Sequence, residues 1–547
     1  MRTFKKHLLF AVSTKGGVSP EKRSLKFTAS SQPTSTWITE NVEEVTFDPI
    51  HGTGVLLLRD NVTTLAGASS VVGSNLFSDT GSDSNVTAIE IPPVVSRIDA
   101  TAFKSCSAIT SVKCVATRPP VVVEGAFKGI GTDECVVPLD LVFEYVKSDD
   151  WYGEFNYIMP DEFPTDKILF IASAKPNSSW ISSNTSKVEF NSSTGKGSMT
   201  LKNATTSLSG TSSQSHQGSA FNYYQDSNIT AVILPTQITE VTVFAFYNMK
   251  KLRAAILPES ILSFGECIFG SDTDLKSLKL PANANLTANR LVAGCSALKA
   301  IKFPAVLTSI PQATCDSCTS LKEVVIPSLV TEIVWGAFKG CSSLKSVTFP
   351  NTLSVINEYS FSGCAELEFT ALPPSLTTIK TGAFSGCKIK SLSIPTSTTS
   401  ISDSAFGGCD IDYVSVDPNN TVYNDNSGSN AVYETSTGDL VIGSNNTNPV
   451  LPVTATKIRQ YAFNHRTHIS TITLPSTITS VDAYAFNKCD ALLSVVSLAQ
   501  NPPAYGPTNF TAENDTLYVP HGRLSAYINA YHNKFWQLFS NVEELPE

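Results

Sequence analysis

Cysteine, histidine and lysine are the residues of this chain best placed to do chemistry, and their spacing decides which chemistry is on offer. Twelve cysteines occur, and Cys315-Asp-Ser-Cys318 forms a CxxC, a spacing that in isolation suits thiol exchange or zinc. Of the seven histidines, His465 and His468 lie close together, but no cysteine or carboxylate beside them completes a ligand set, and both are expected in an exposed loop. The acids between Asp425 and Glu434 lack the spacing of a calcium loop. The chain carries no GxSxG elbow, no P-loop, no GxGxxG and no HExxH. The expectation is a protein that is not an enzyme and takes no metal or cofactor.

The lysines are a different case. Lys276, Lys299, Lys322, Lys345 and Lys390 fall at one position per repeat, with Lys279 and Lys302 three residues beyond two of them. Arg253 opens this column and Glu368 interrupts it. A basic stripe of this kind suits an acidic partner, an anionic glycan or a carboxylate-rich protein surface. Lysine in such a place also protects a sheet edge and keeps it soluble.

What positions these residues is a repeat. Prolines fall at 235, 258, 281, 304, 327, 350 and 373, each 23 residues after the last, and Pro395 follows at 22. In phase with them run Phe246, Phe269, Val292, Cys315, Phe338, Phe361, Phe384 and Phe406, and then Cys295, Cys318, Cys341, Cys364, Cys387 and Cys409. The segment Leu344–Phe349 alternates apolar and polar like a half-buried strand, and Pro350, lacking an N–H, ends it. A unit this short cannot bury its own apolar face, so like must stack on like into a solenoid. The repeat explains both residues of the CxxC as core positions, since cysteine serves as a small buried hydrophobe. Free, buried thiols are expected throughout. Val292 and Cys315 in the phenylalanine column, and Met249 in the cysteine column, should loosen the core locally.

Ala337-Phe338-Lys-Gly-Cys341, Ala383-Phe384-Ser-Gly-Cys387 and Ala405-Phe406-Gly-Gly-Cys409 resemble the BspA-like leucine-rich repeats, the 23-residue, Treponema pallidum-type class with the pattern LxxVxIPxxLxxIxxxAFxxC. The resemblance covers about residues 85–119 and 228–510. It implies a microbial surface protein that mediates adhesion to host matrix, other cells or glycans.

A longer repetition overlies the short one. Phe27, Ala29, Pro33 and Trp37 recur 143 residues later as Phe170, Ala172, Pro176 and Trp180, and Gly52 and Gly54 as Gly195 and Gly197. Val137-Pro138 with Tyr145, Trp151 and Phe155 is matched by Val519-Pro520 with Tyr527, Phe535, Trp536 and Phe539. The expected fold is therefore a β-rich repeat solenoid of two leucine-rich-repeat stacks in tandem, each with an N-terminal β leader and a C-terminal cap of a strand and a helix. Residues 1–24 form a flexible tail or remnant signal, 25–84 the first leader, 85–163 a short stack with its cap, and 164–227 the second leader. Residues 228–516 form the long stack and 517–547 its cap. The step from Phe406 to Phe463 is 57 residues, so a hairpin insertion at about 414–450 is expected to project from the stack.

Composition narrows the partners. Charged residues make up 16% of the 547 and hydrophobic ones 41%, enough apolar content for a real core, and the net charge of −9 gives nucleic acid no foothold. No run approaches the ~20 apolar residues of a membrane-spanning helix. The apolar stretch Leu8–Val12 is short for a secretory signal, which wants roughly 7–15 apolar residues. The expected function is a scaffold that binds a protein or glycan partner at the cell surface or outside the cell. The alternative is a structural, fibre-like component of a particle or mobile element made in the cytoplasm.

Overall fold

The computed structural model describes residues 18–67, 75–79, 85–213, 216–218, 220–221, 228–426, 429–446, 449–506, 516–529 and 539–547. Leu8–Val12, residues 427–428 within the expected insertion, and Phe535 and Trp536 lie outside these residues. The chain divides into two compact units, Met1–Pro164 and Thr165–Glu547.

Each unit begins with an antiparallel layer. In the first, strands Val42–Asp48, Thr53–Leu58 and Ser24–Ala29 pair in that order, and Ser24–Ala29 then pairs antiparallel with Val86–Ile91. In the second, Thr185–Phe190, Lys196–Leu201 and Lys167–Ala172 do the same before Ile229–Ile233. The 143-residue offset has a physical cause at two glycines. Gly52 and Gly195 hold φ of +64° and +70°, and a Cβ there would come within 2.7 Å of the Ala29 or Ala172 carbonyl oxygen. Gly54 and Gly197 lie beneath the rings of Phe27 and Phe170, where any side chain would collide. Ser35 and Ser178 cap the short helices Thr36–Asn41 and Ser179–Asn184 by accepting from the N–H of Ile38 and Ile181, 3.1 Å each. Arg23, grouped with the tail on sequence, is buried and ion-paired with Glu43 (3.0 Å) and Asp60 (3.1 Å).

From coil to coil the pairing along the stack is parallel, the insertion excepted. Ala254–Ile256, Ser277–Lys279 and Ala300–Lys302 align residue for residue, as do Glu323–Val325 with Ser346–Thr348. A second, shorter ladder runs on another side of the coil through Ser309–Ile310, Glu332–Ile333, Val355–Ile356, Thr378–Ile379 and Ser400–Ile401. These registers make one coil of each sequence repeat, so each column of the sequence becomes a column in space. The phenylalanine rings stack accordingly: Phe338 to Phe361 is 5.3 Å, Phe361 to Phe384 5.4 Å and Phe384 to Phe406 5.3 Å, with planes within 10°. That spacing follows from the strand separation of about 4.8 Å. A fully buried ring of this kind contributes about 1.5–3 kcal/mol.

The places where the column departs from Phe are not loose. Val292 and Cys315 are wholly buried, and Phe303 swings in from the strand side until its ring lies 6.4 Å from that of Phe338. Phe349 meets Phe361 in the same way at 5.8 Å, so this strand-side ring is part of the ordinary core and both departures are closed by burial alone.

Each coil must also turn sharply on both sides of its Ala-Phe pair. The residue before the pair (Ser360-Phe361 in one coil) and the second residue after it have φ between +57° and +76°: Gly336 and Gly340, Tyr359 and Gly363, Gly382 and Gly386, Tyr461 and His465, Tyr484 and Lys488. This left-handed requirement explains the glycine of AFxGC, since glycine alone adopts it without steric cost.

The unit ends repeat one device. In the first, helices Val142–Lys147 and Asp149–Glu154 follow strand Glu134–Val137, and a further strand, Tyr157–Pro160, pairs parallel with it. Tyr145 donates to the Ala116 carbonyl at 3.0 Å and Trp151 to that of Pro120 at 2.9 Å, with Trp151 stacked on Phe155. In the second, Tyr527 on helix Leu524–Ile528 donates to the Ala499 carbonyl at 2.8 Å, and Asn541–Glu544 pairs parallel with Thr516–Val519. That closing parallel strand is not evident from the sequence.

The insertion does not project. Strands Tyr423–Asn424, Ala431–Glu434 and Asp439–Gly443 run antiparallel to one another, and Asp439–Gly443 then pairs parallel with Lys457–Ile458. Val432 and Ile442 are buried with the coils before the insertion, and Tyr433 and Leu440 with the coils after it. The alternating apolar residues that suggest a hairpin are there to fill the stack, and so they draw it inward.

Candidate interaction surface

The lysine column sits one residue ahead of each strand of the main ladder, where the chain enters the sheet. Its backbone is itself a ladder. The N–H of Lys276 donates to the Arg253 carbonyl (3.1 Å), Lys299 to Lys276 (2.7 Å), Lys345 to Lys322 (2.8 Å) and Glu368 to Lys345 (3.1 Å). Lys299, Lys322 and Lys345 are exposed and Lys276 is half-buried. No salt bridge holds any of these four among the described residues. Lys279 and Lys302 face each other across neighbouring strands, Lys279 half-buried and Lys302 exposed, and the next residue of their column, Val325, is 66% exposed.

Lys390 differs from the rest. Glu366 and Glu368 hold Lys388 at 3.6 and 2.7 Å, and Lys390 is paired with Asp410 and, at 3.7 Å, Asp412. Desolvation opposes its charge, but the two aspartates outweigh it and raise its pKa. Among the described residues Lys276, Lys299, Lys322 and Lys345 thus carry no salt bridge, though Glu368 feels the charge of Lys345, and the column is ion-paired beyond Glu368. Like charges one strand apart repel, so the first stretch carries a small electrostatic cost that the second does not.

The cysteine column is inert for exchange but is more than packing. Each thiol donates to the phenylalanine-column carbonyl of the coil before it: Cys318 to Val292 (3.2 Å), Cys341 to Cys315 (3.1 Å), Cys364 to Phe338 (3.2 Å), Cys387 to Phe361 (3.2 Å) and Cys489 to Phe463 (3.0 Å). Burial pushes these thiols up, away from the reactive thiolate. Cys267 departs from the expectation of burial throughout: it is at a left-handed turn, φ +52°, and only half-buried.

Two members of this column escape a reading by residue type. Asp272 is wholly buried: one carboxylate oxygen accepts from the Met249 N–H at 2.6 Å and the other has no partner. Burial lifts its pKa well above the ordinary value. Arg466 takes the cysteine position of the coil after the insertion. It is 1% exposed and donates to the carbonyls of Gly443 (2.7 Å), Asn464 (3.0 Å) and Cys409. A thiol could not span that wider gap; a guanidinium can. The loop expected to hold two exposed histidines therefore places an arginine in the core. His465 is half-buried, and His468 meets Asn445 at 2.9 Å, through which it is linked to Asp410 and Asp412. Among the described residues no group of three metal-ligating side chains converges, and no helix is long and apolar enough to cross a membrane.

The family profile described as "BspA type Leucine rich repeat region (6 copies)" matches residues 66–138, 218–345, 331–448 and 440–515. Among solved structures, a leucine-rich repeat protein from Bacteroides ovatus is 15% identical over 84% of this chain and 95% of its own, with a TM-score of 0.40. A leucine rich cell surface protein from Faecalibacterium prausnitzii is 16% identical over 62% of this chain and 95% of its own, TM-score 0.38. The T. pallidum leucine-rich repeat protein is 28% identical over 33% of this chain and 76% of its own, TM-score 0.25. No curated protein matches significantly.

Proposed function

The chain belongs to the BspA-type leucine-rich repeat family, and on that premise we propose that it is a cell-surface or secreted scaffold that binds an acidic partner, protein or anionic glycan, along the stripe Lys276–Lys299–Lys322–Lys345. One observation carries this: four lysines on successive coils have no salt-bridge partner among the described residues, although the same column is fully compensated two coils later. Lys279, Lys302 and the exposed Val325 widen the strip. Lys390, tied to aspartates, belongs to the framework and not to the binding strip. A stack of coils in fixed register presents these charges at fixed intervals, which suits an extended, repetitive ligand. The antiparallel strands within Ser24–Leu58 and Lys167–Leu201 serve as leaders that shield the first edge of each stack, and the strand–helix–strand ends shield the last.

The test reverses the charges. Glycan arrays and pull-downs from host matrix are to be run with the native protein and with Lys276→Glu, Lys299→Glu, Lys322→Glu and Lys345→Glu combined. Binding that weakens with salt in the native protein and is lost in the variant supports the proposal; equal binding by both sinks it. Protease shaving of intact cells addresses location: protection of the whole pool would favour the cytoplasmic, particle-associated alternative.

A further inference from the structure

The second ladder breaks between Ser400–Ile401 and Lys457–Ile458, and a cleft opens at the break. Ser400–Ile401 ends one sheet, Asp439–Gly443 and Lys457–Ile458 belong to the next, and the Ile401 N–H is satisfied by the Tyr423 hydroxyl at 2.8 Å. The cleft has a volume of about 770 Å³, and two tyrosines, Tyr359 and Tyr461, are part of its lining.

Both rings are braced. Tyr461 stacks on Tyr484 at 5.1 Å with planes 3° apart. Tyr359 rests edge-to-face on Trp335 at 6.2 Å and lies over Gly382, where a Cβ would come within 2.7 Å of the ring. Burial raises the pKa of Tyr461, and the neighbouring Tyr484 and then Tyr359 add to the rise. With them in the lining are Ser402, Asp403, Ser404 and Gln460. No side-chain hydrogen bond or ion pair engages Asp403 or Gln460 among the described residues. The cations of the lining are ion-paired elsewhere, Lys457 with Asp482 at 2.8 Å and Arg459 with Glu434 and, at 3.3 Å, Asp439, and act on Asp403 only through space.

We infer that this cleft is a binding site for a neutral saccharide, separate from the lysine stripe. A pyranose presents apolar C–H faces rimmed by hydroxyls, and so needs flat apolar rings together with unengaged acceptors and donors. Tyr359 and Tyr461 supply the rings; Asp403, Gln460 and the two serines supply the polar groups. An anionic chain would meet Asp403 and a lining in which carboxylates outnumber cations. A protein partner would want a buried apolar pocket for an anchoring side chain, and beyond the two rings the lining is polar. The cleft exists only because the insertion interrupts the coil spacing, which gives the insertion a use.

The test is calorimetric titration with four neutral probes: cellohexaose, maltohexaose, xylohexaose and mannohexaose. At least one is expected to bind, and Tyr359→Gly, Tyr461→Gly and Asp403→Asn are each expected to weaken it about tenfold or more. Both tyrosines sit at positive φ, +57° and +62°, where glycine is at home, so the ring can be removed without straining the turn. Asp403→Asn keeps both rings and the shape of the cleft. The lysine-reversed protein should bind the sugar unchanged. No binding of any probe at about 10 mM, where even a Kd near 1 mM saturates the site, or binding undiminished in the three variants, overturns the inference.

Discussion

A buried carboxyl is the sharpest test at the scale of single residues. Asp272 stands where the other coils put a thiol, and its unpartnered oxygen costs about 1–3 kcal/mol. Its folded pKa lies well above the ordinary 3.8, because burial disfavours the anion. Between those two values the unfolded chain has lost the proton that the folded chain keeps, so this group makes stability fall as pH rises from about 4. Asp272→Asn, which keeps an acceptor for the Met249 N–H and cannot ionise, is expected to melt near the native protein at pH 4 and above it at pH 7. A melting difference independent of pH would contradict the assignment. The column to which Asp272 belongs is legible in the sequence from Cys295 onward, since six cysteines at regular spacing leave little else to read. Asp272 itself is not, because an aspartate by its type belongs on the surface.

At the scale of elements, the stack holds wherever its interval is kept, and one residue bridges the place where it is not. Arg466 donates to carbonyls on both sides of the insertion, Cys409 and Gly443, and to Asn464 of its own coil, with no salt bridge to it among the described residues. Arg466→Leu would leave those groups dry and unpaired, at a cost of about 3 kcal/mol or more, whereas Thr467→Ala on the exposed neighbour should change little. Equal melting temperatures for the two variants would show that the bridge is not needed. Strand, turn and ring columns can be read from Leu344–Cys364 alone, because proline, phenylalanine and glycine each fill a role no other residue fills as well. The insertion defeats the same method. Its alternating residues signal a hairpin, but whether a hairpin projects or packs depends on what lies behind it, and Val432 and Ile442 have a core to join. The cleft is hidden for a related reason: Tyr359 and Tyr461 are distant in sequence and line one cleft only because the coils between them are stacked.

Across the molecule, function and fold draw on the same regularity. Coils in register place Lys276, Lys299, Lys322 and Lys345 in one line, and a single broken interval makes the cleft lined in part by Tyr359 and Tyr461. Both depend on one claim, that successive coils share an interior lined by the phenylalanine and cysteine columns. Timed alkylation of the native protein, read by peptide mass spectrometry, tests it most directly. Cys267, half-buried at its turn, should label first. Cys295, Cys315, Cys318, Cys341, Cys364, Cys387, Cys409 and Cys489, all buried, should label only at the rate of unfolding and be fully modified in denaturant. Rapid labelling of that column in the folded protein would contradict the shared core.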